Sequence, residues 1–131
     1  MKNNGLLNPG LLAEIAALGH TEYLVIADCG LPIPKGVKTI DLSVVAGLPS
    51  LLSVYDAVAG DLVIESMIIA DEARDKNPAF VAAMEARMDA GKIASVSHED
   101  FKRLTANAKC VVRTGENSSY ANVILIGGVN F

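Results

Sequence analysis

The stretch "YLVIAD", Tyr23 to Asp28, opens with five apolar or aromatic residues and no polar one among them. Side chains alternate between the two faces of a strand, so such a run buries both of its sides. A strand of that kind needs a layer of helix above it and another below. The flanking sequence supplies them. Asn8 can cap a helix with Pro9 at its first position, and Leu11, Leu12, Ile15 and Leu18 share one face. Gly19 then suits the left-handed residue past the end. Asn77 and Pro78 repeat that start, with Phe80, Val81, Met84 and Met88 as the apolar face and Gly91 as the stop. Another helix begins near Pro49 and sets Leu51, Leu52, Tyr55 and Val58 on one side. A short one begins at Ser97, where Asp100 completes a capping-box variant, and carries Phe101 and Leu104.

Strands are expected over "VKTIDLS", "DLVIESMIIADEA" (with a polar exit) and "KIASVS", so strand and helix alternate as far as residue 106. This alternation predicts one α/β domain, a mostly parallel sheet with helices on both faces. "AKCVVRTG" and "NVILIGG" add two strands joined by the polar turn "ENSSYA", read as a hairpin or an offset edge pair. "GLPIPKG" is an irregular loop, because its prolines fix φ and lack N–H donors. A length of 131 residues fits a single domain, and the 51% apolar content gives it a real core. No repeat, low-complexity tract or linker divides the chain.

Several function classes lose support at once. The net charge of −4 argues against binding nucleic acid or an anionic membrane surface. The first twenty residues place Asn, Pro and Gly where a signal peptide needs an apolar run. No stretch of about 18 apolar residues exists to span a bilayer. With no secretion signal, Cys29 and Cys110 read as reduced thiols in a cytoplasmic protein, and the lack of a CxxC spacing or a nearby histidine argues against zinc. GxGxxG, Walker, HExxH and GxSxG patterns are all missing, so dinucleotide, phosphate and acyl-transfer chemistry have no motif behind them.

What remains is a set of proton-carrying and hydrogen-bonding residues in loops. His20 follows a helix stop and precedes the buried strand, where it reads equally as a polar loop residue favoured by the helix dipole or as an acid–base group. Asp28 ends that strand, at the edge where open α/β sheets bind ligands, and serves there or as a turn cap for the next loop. His98 opens the short helix, a position that favours a neutral imidazole and a bound anion or hydroxyl, although a solvated residue also fits. Lys102 lies one turn later on the same face. Glu116, Tyr120 and Asn122 crowd the last turn. Tyr120 and Asn122 bracket one alanine, so both face the same way if that segment is extended. Histidines, carboxylate, tyrosine and amide together suit a neutral polyhydroxylated ligand and proton transfer. By themselves they point no further.

At this point the chain resembles the D-ribose pyranase family, sugar mutarotases associated with bacterial ribose uptake. "LGHTEYLVIADCGLPIP" is similar to that family's N-terminal signature and "VRTGENSSYANVILIGGV" to its C-terminal one, with "SHEDFK" between them. The likeness runs essentially end to end. Related fucose mutarotases share the His and Asp placement but lack the "GLPIP" loop, which favours ribose. Cys29 stands where the family pattern has alanine, a small enough change to leave the loop intact. The resemblance implies that His20 is the proton donor and that Asp28, His98, Tyr120 and Asn122 bind the sugar. It implies a cofactor-free interconversion of pyranose and furanose D-ribose, with neither metal nor nucleotide. Two other readings share these residues: a non-catalytic sugar-binding partner of a ribose transporter, and a fucose-type mutarotase.

One expectation is geometric. About five strand residues separate the two loops and span roughly 16 Å, too far for His20 and Asp28 of one chain to reach one ribose unless the loops fold back. The family's ring-shaped homo-oligomers offer the alternative, a site near a subunit interface.

Overall fold

In the computed structural model, which describes every residue from Met1 to Phe131, Tyr23–Ala27 forms strand β1. Leu24, Val25, Ile26 and Ala27 are each 0% exposed, so the run is covered on both faces as its composition requires. The other strands are β2 (Lys38–Asp41), β3 (Ile64–Ala70), β4 (Ile93–Val96), β5 (Cys110–Arg113) and β6 (Val123–Gly127). The helices are α1 (Pro9–Ala17), α2 (Leu51–Ala59), α3 (Glu72–Lys76), α4 (Pro78–Glu85) and α5 (His98–Leu104). The six strands make one sheet in the order β2-β5-β1-β6-β3-β4. Pairings β1–β5, β2–β5 and β3–β4 are parallel, and β6 alone runs the other way, between β1 and β3.

The two faces carry separate cores. Leu24 and Ile26 of β1 join Leu11, Leu51, Phe80 and Met84 from α1, α2 and α4 on one side. Val25 and Ala27 join Phe101 of α5 on the other, with Leu31 of the loop. The expected helix starts are made as the sequence specifies: Asn8 Oδ1 accepts the Leu11 N–H, Asn77 Oδ1 that of Phe80, and Ser97 Oγ that of Asp100. Cys29 is exposed and Cys110 buried, both as free thiols. Burial pushes the Cys110 thiol up to about 11.

Four expectations are corrected. The last two strands form neither a hairpin nor an edge pair, because β1 lies between them: Val25 pairs with Val111 of β5 on one side and Ile124 of β6 on the other. Val111, Val112, Ile124 and Leu125 are all 0% exposed, and an edge pair would leave such residues half uncovered. The helix after Asn77 stops at Glu85, well short of Gly91. There the Met84 carbonyl accepts from both Arg87 and Met88, and the chain tightens before a single 3-10 turn at Ala90–Lys92. The polar exit of β3 coils into the short helix α3. Finally, Gly19 is not left-handed: Leu18 ends α1 in an extended conformation, and the left-handed residue is Thr21, with φ 68°.

Candidate functional site

Five of the six strands point the same way, so the polar residues sort to two opposite edges of the sheet. Asp28 leaves β1 at the C-terminal edge, where the chain also runs into α5 and into the start of β6. A cavity of about 340 Å³ opens there, lined by Asp28, Gly30, Leu31, Pro32, His98, Ser119 and Tyr120. Three of the expected sugar-binding residues thus share one wall system, and the fourth, Asn122, stands behind it.

Asn122 is 1% exposed, and its amide meets Asp28 twice. Its Oδ1 accepts the Asp28 N–H at 2.7 Å, while its Nδ2 donates to Asp28 Oδ2 at 3.0 Å. The other carboxylate oxygen accepts the N–H groups of Gly30 and Leu31 at 2.9 and 2.8 Å. The turn-cap reading of Asp28 is therefore correct, and it does not compete with ligand binding. A carboxylate offers about four acceptor sites. Three are occupied by protein donors, which fix the group and leave one site for a ligand hydroxyl. Tyr120 and Asn122 do not face the same way, because the segment is not extended: Tyr120 sits in a turn with φ 55°. We expect Asn122→Ala to cost about 1–3 kcal/mol of stability, because it leaves the Asp28 N–H and Oδ2 unpartnered. It should also weaken ligand affinity. Urea unfolding and a sugar titration measure the two effects, and native values for both would show that the amide is dispensable.

His98 is held from two directions. Both carboxylate oxygens of Glu72 accept its backbone N–H at 3.0 Å. Its ring lies parallel to Phe101 (centroids 6.5 Å apart) and edge-on to Tyr120 at 5.1 Å. Ring atom Nδ1 is buried without a hydrogen-bond partner, a state that native proteins rarely leave unexplained. Lys102 pairs with Glu99 at 2.7 Å, one turn back on its own helix, and Glu116 accepts from Ser118 and, through its carbonyl, from Cys29. Sequence reasoning missed Glu72 and Ser119. Glu72 belongs to no recognisable motif, and Ser119 is one of several polar residues of the last turn with nothing to single it out.

His20 is elsewhere. It precedes β1 at the opposite edge, where its Nε2 lies 2.9 Å from Glu65 Oε2 of β3, and both side chains are 51% exposed. The separation foreseen from the strand length is real within one chain. Backbone conformation nonetheless marks both places. The only non-glycine residues with positive φ are Thr21, next to His20, and Tyr120, on the cavity wall. Such conformations cost on the order of 1–3 kcal/mol and concentrate at functional sites. Thr21, being β-branched, is the more strained, and its N–H to the Gly127 carbonyl (2.9 Å) helps hold it there.

Known proteins place the chain. A family model described as the RbsD / FucU transport protein family matches residues 1–130. A D-ribose pyranase of Geobacillus thermodenitrificans is 51% identical over 131 residues, covering 100% of this chain and 99% of that protein. One of Laribacter hongkongensis is 49% identical with full coverage of both. The structure of Bacillus subtilis RbsD complexed with D-ribose superposes with a TM-score of 0.95 at 44% identity, covering 100% of each chain. A Streptococcus pneumoniae fucose mutarotase in complex with L-fucose shares the fold, with a TM-score of 0.86 at 24% identity and full coverage of both chains. With a match over residues 1–130 and relatives near half identity along its whole length, the chain belongs to the RbsD / FucU family.

Proposed function

We propose that this protein is a D-ribose pyranase, opening and reclosing the sugar ring by acid–base catalysis without a cofactor. The observation that carries the reading is end-to-end similarity to D-ribose pyranases and to a ribose-bound structure. The cavity at Asp28 suits the substrate: it is small, polar and supplied with a fixed acceptor, an imidazole and a phenol.

The reaction needs two proton movements. His20, protonated, gives its proton to the ring oxygen while a base takes the proton of the anomeric hydroxyl. The bond between C1 and the ring oxygen breaks, and C1 becomes an aldehyde. Closure through a different hydroxyl, with the protons moving in reverse, gives the other ring size. A histidine suits this because it donates and recovers a proton near neutral pH. Asp28, His98 and Tyr120 hold the hydroxyls, and Asn122 holds Asp28.

His20 reaches that sugar from a neighbouring subunit of a closed homo-oligomer. The separation of His20 from the cavity, by the length of β1, supports this. So do two unlike apolar surfaces. Leu7, Val44 and Leu48 are exposed around a cavity of about 560 Å³ near α1 and α2, and Val63, Val129 and Phe131 are exposed around a separate cavity that Leu18 at the end of α1 also lines. Contacts between unlike surfaces close into rings when the rotation permits. No helix is long and apolar enough to cross a membrane, and a cytoplasmic location follows from this reading of the role.

Saturation-transfer NMR on D-ribose with catalytic amounts of protein tests the activity. Exchange between pyranose and furanose signals should quicken with no added metal or nucleotide. Binding without faster exchange would favour a transporter partner, and faster exchange of L-fucose but not ribose would favour the fucose enzyme.

A further inference from the structure

The partner of His20 is a residue that no motif announces. Glu65 accepts from the imidazole across the end of β6, since β6 lies between β1 and β3. Three features of the chain bring the two side chains together. The β3–β6 register slips between Ile64 and Ser66: Ile64 pairs with Gly127, whereas Ser66 already pairs with Ile126. Glu65 is thus the extra residue of a bulge, a device that re-aims a side chain at the cost of one ladder position. The strand it faces ends at Gly127 and Gly128 follows directly, so neither position places a side chain in the gap. A Cβ on Gly127 would lie 2.7 Å from the Gly19 carbonyl oxygen. One on Gly128 would lie 3.0 Å from Val63 Cγ1 and 3.4 Å from Glu65 Cβ. On the other side, the left-handed Thr21 turns the chain directly after His20. Glu22 closes that turn, its Oε2 accepting the Gly19 N–H at 2.8 Å.

We propose that Glu65 is the positioning residue of the His20 acid, holding Nε2–H so that Nδ1 is the nitrogen presented to the sugar. The inference rests on the ribose-pyranase reading above. An ionised carboxylate accepts only, so the bond requires the proton on Nε2. In the imidazolium both nitrogens carry protons, and the one on Nδ1 is free to go to the ring oxygen. Once it has gone, the neutral ring is left as the Nε2–H tautomer, still held by Glu65, with Nδ1 ready to recover the proton. The orientation of the ring and its tautomer are therefore the same before and after each turnover. Glu65 touches no reacting atom.

The test compares Glu65→Leu with Glu65→Gln, whose amide oxygen still accepts from Nε2–H. In ribose exchange, Glu65→Leu should lower kcat about tenfold, the low end for removing a histidine's orienting partner, with KM for ribose unchanged. Glu65→Gln should recover most of the rate. In parallel, 15N spectra of the neutral His20 ring should show the Nε2–H tautomer alone in the native protein and in Glu65→Gln, with an Nδ1–H fraction appearing in Glu65→Leu. A native kcat in Glu65→Leu, or equal losses in both variants, overturns the proposal, as does an Nδ1–H ring in the native protein. If the native protein does not exchange ribose at all, the functional reading fails. The spectra still decide whether Glu65 sets the tautomer.

Discussion

Replacing His20 with alanine should slow pyranose–furanose exchange of D-ribose by about 10²-fold or more, the usual contribution of one positioned acid. Ribose should still bind with near-native affinity. The separation of the two effects comes from the fold. Asp28, His98 and Tyr120 line the cavity at the C-terminal edge of the sheet, and Asn122 braces Asp28 from behind. His20 sits at the far end of β1 and is half exposed, so its loss leaves that cavity and the core untouched. Saturation transfer measures the rate, and a titration followed by protein chemical shifts measures the affinity. A native rate in His20→Ala would return that residue to the role of a loop histidine.

A second large effect is a gain. His20→Ala and Tyr120→Ala proteins, each inactive alone, should regain activity when unfolded and refolded together. If each site takes His20 from one subunit and Tyr120 from the next, random mixing at equal amounts leaves about a quarter of the contacts with both residues intact. Activity near that fraction of native is the expected result. A site built within one chain gives none, because every chain carries one lesion. Mass spectrometry of intact oligomers establishes that the mixtures are true hybrids, and hybrids without activity would place both residues in one chain's pocket.

The fold was legible wherever a local signal had a single meaning. The buried run of β1, the paired Asn-Pro helix starts and the Ser97 cap each specify one local structure, and each is made. The placement of β6 was not legible, because two apolar strands after a polar turn look alike whether they pair or straddle a third. Only the competition for β1's two edges decides it. At the cavity, Asp28 announced itself by ending a buried strand. Asn122 suggested a ligand contact, but its two hydrogen bonds to Asp28 were not legible, since the direction of a side chain just after a turn depends on the φ of Tyr120, which the sequence does not display. Glu65 was silent for the same kind of reason. One glutamate in an apolar strand reads as an ordinary solvent-facing residue, and the bulge that turns it toward His20 exists only once β6 has paired.

The position of β6 also bears on how the chain reaches its folded state. The strand at the middle of the sheet is the last one in the chain, and without it β1 and β3 share no partner. Before β6 pairs, β2, β5 and β1 can form one half-sheet and β3 with β4 another, and the strand of each that will flank β6 is left with an unpaired apolar edge. Such edges invite pairing with other chains. They are joined only through β6, by pairings from Tyr23 to Ile126 and from Ile64 to Gly127 whose long sequence separation is the kind that slows folding. Completion of this domain is therefore an event of its final residues: a released chain truncated just before Val123 would display two sticky halves rather than a nearly finished protein.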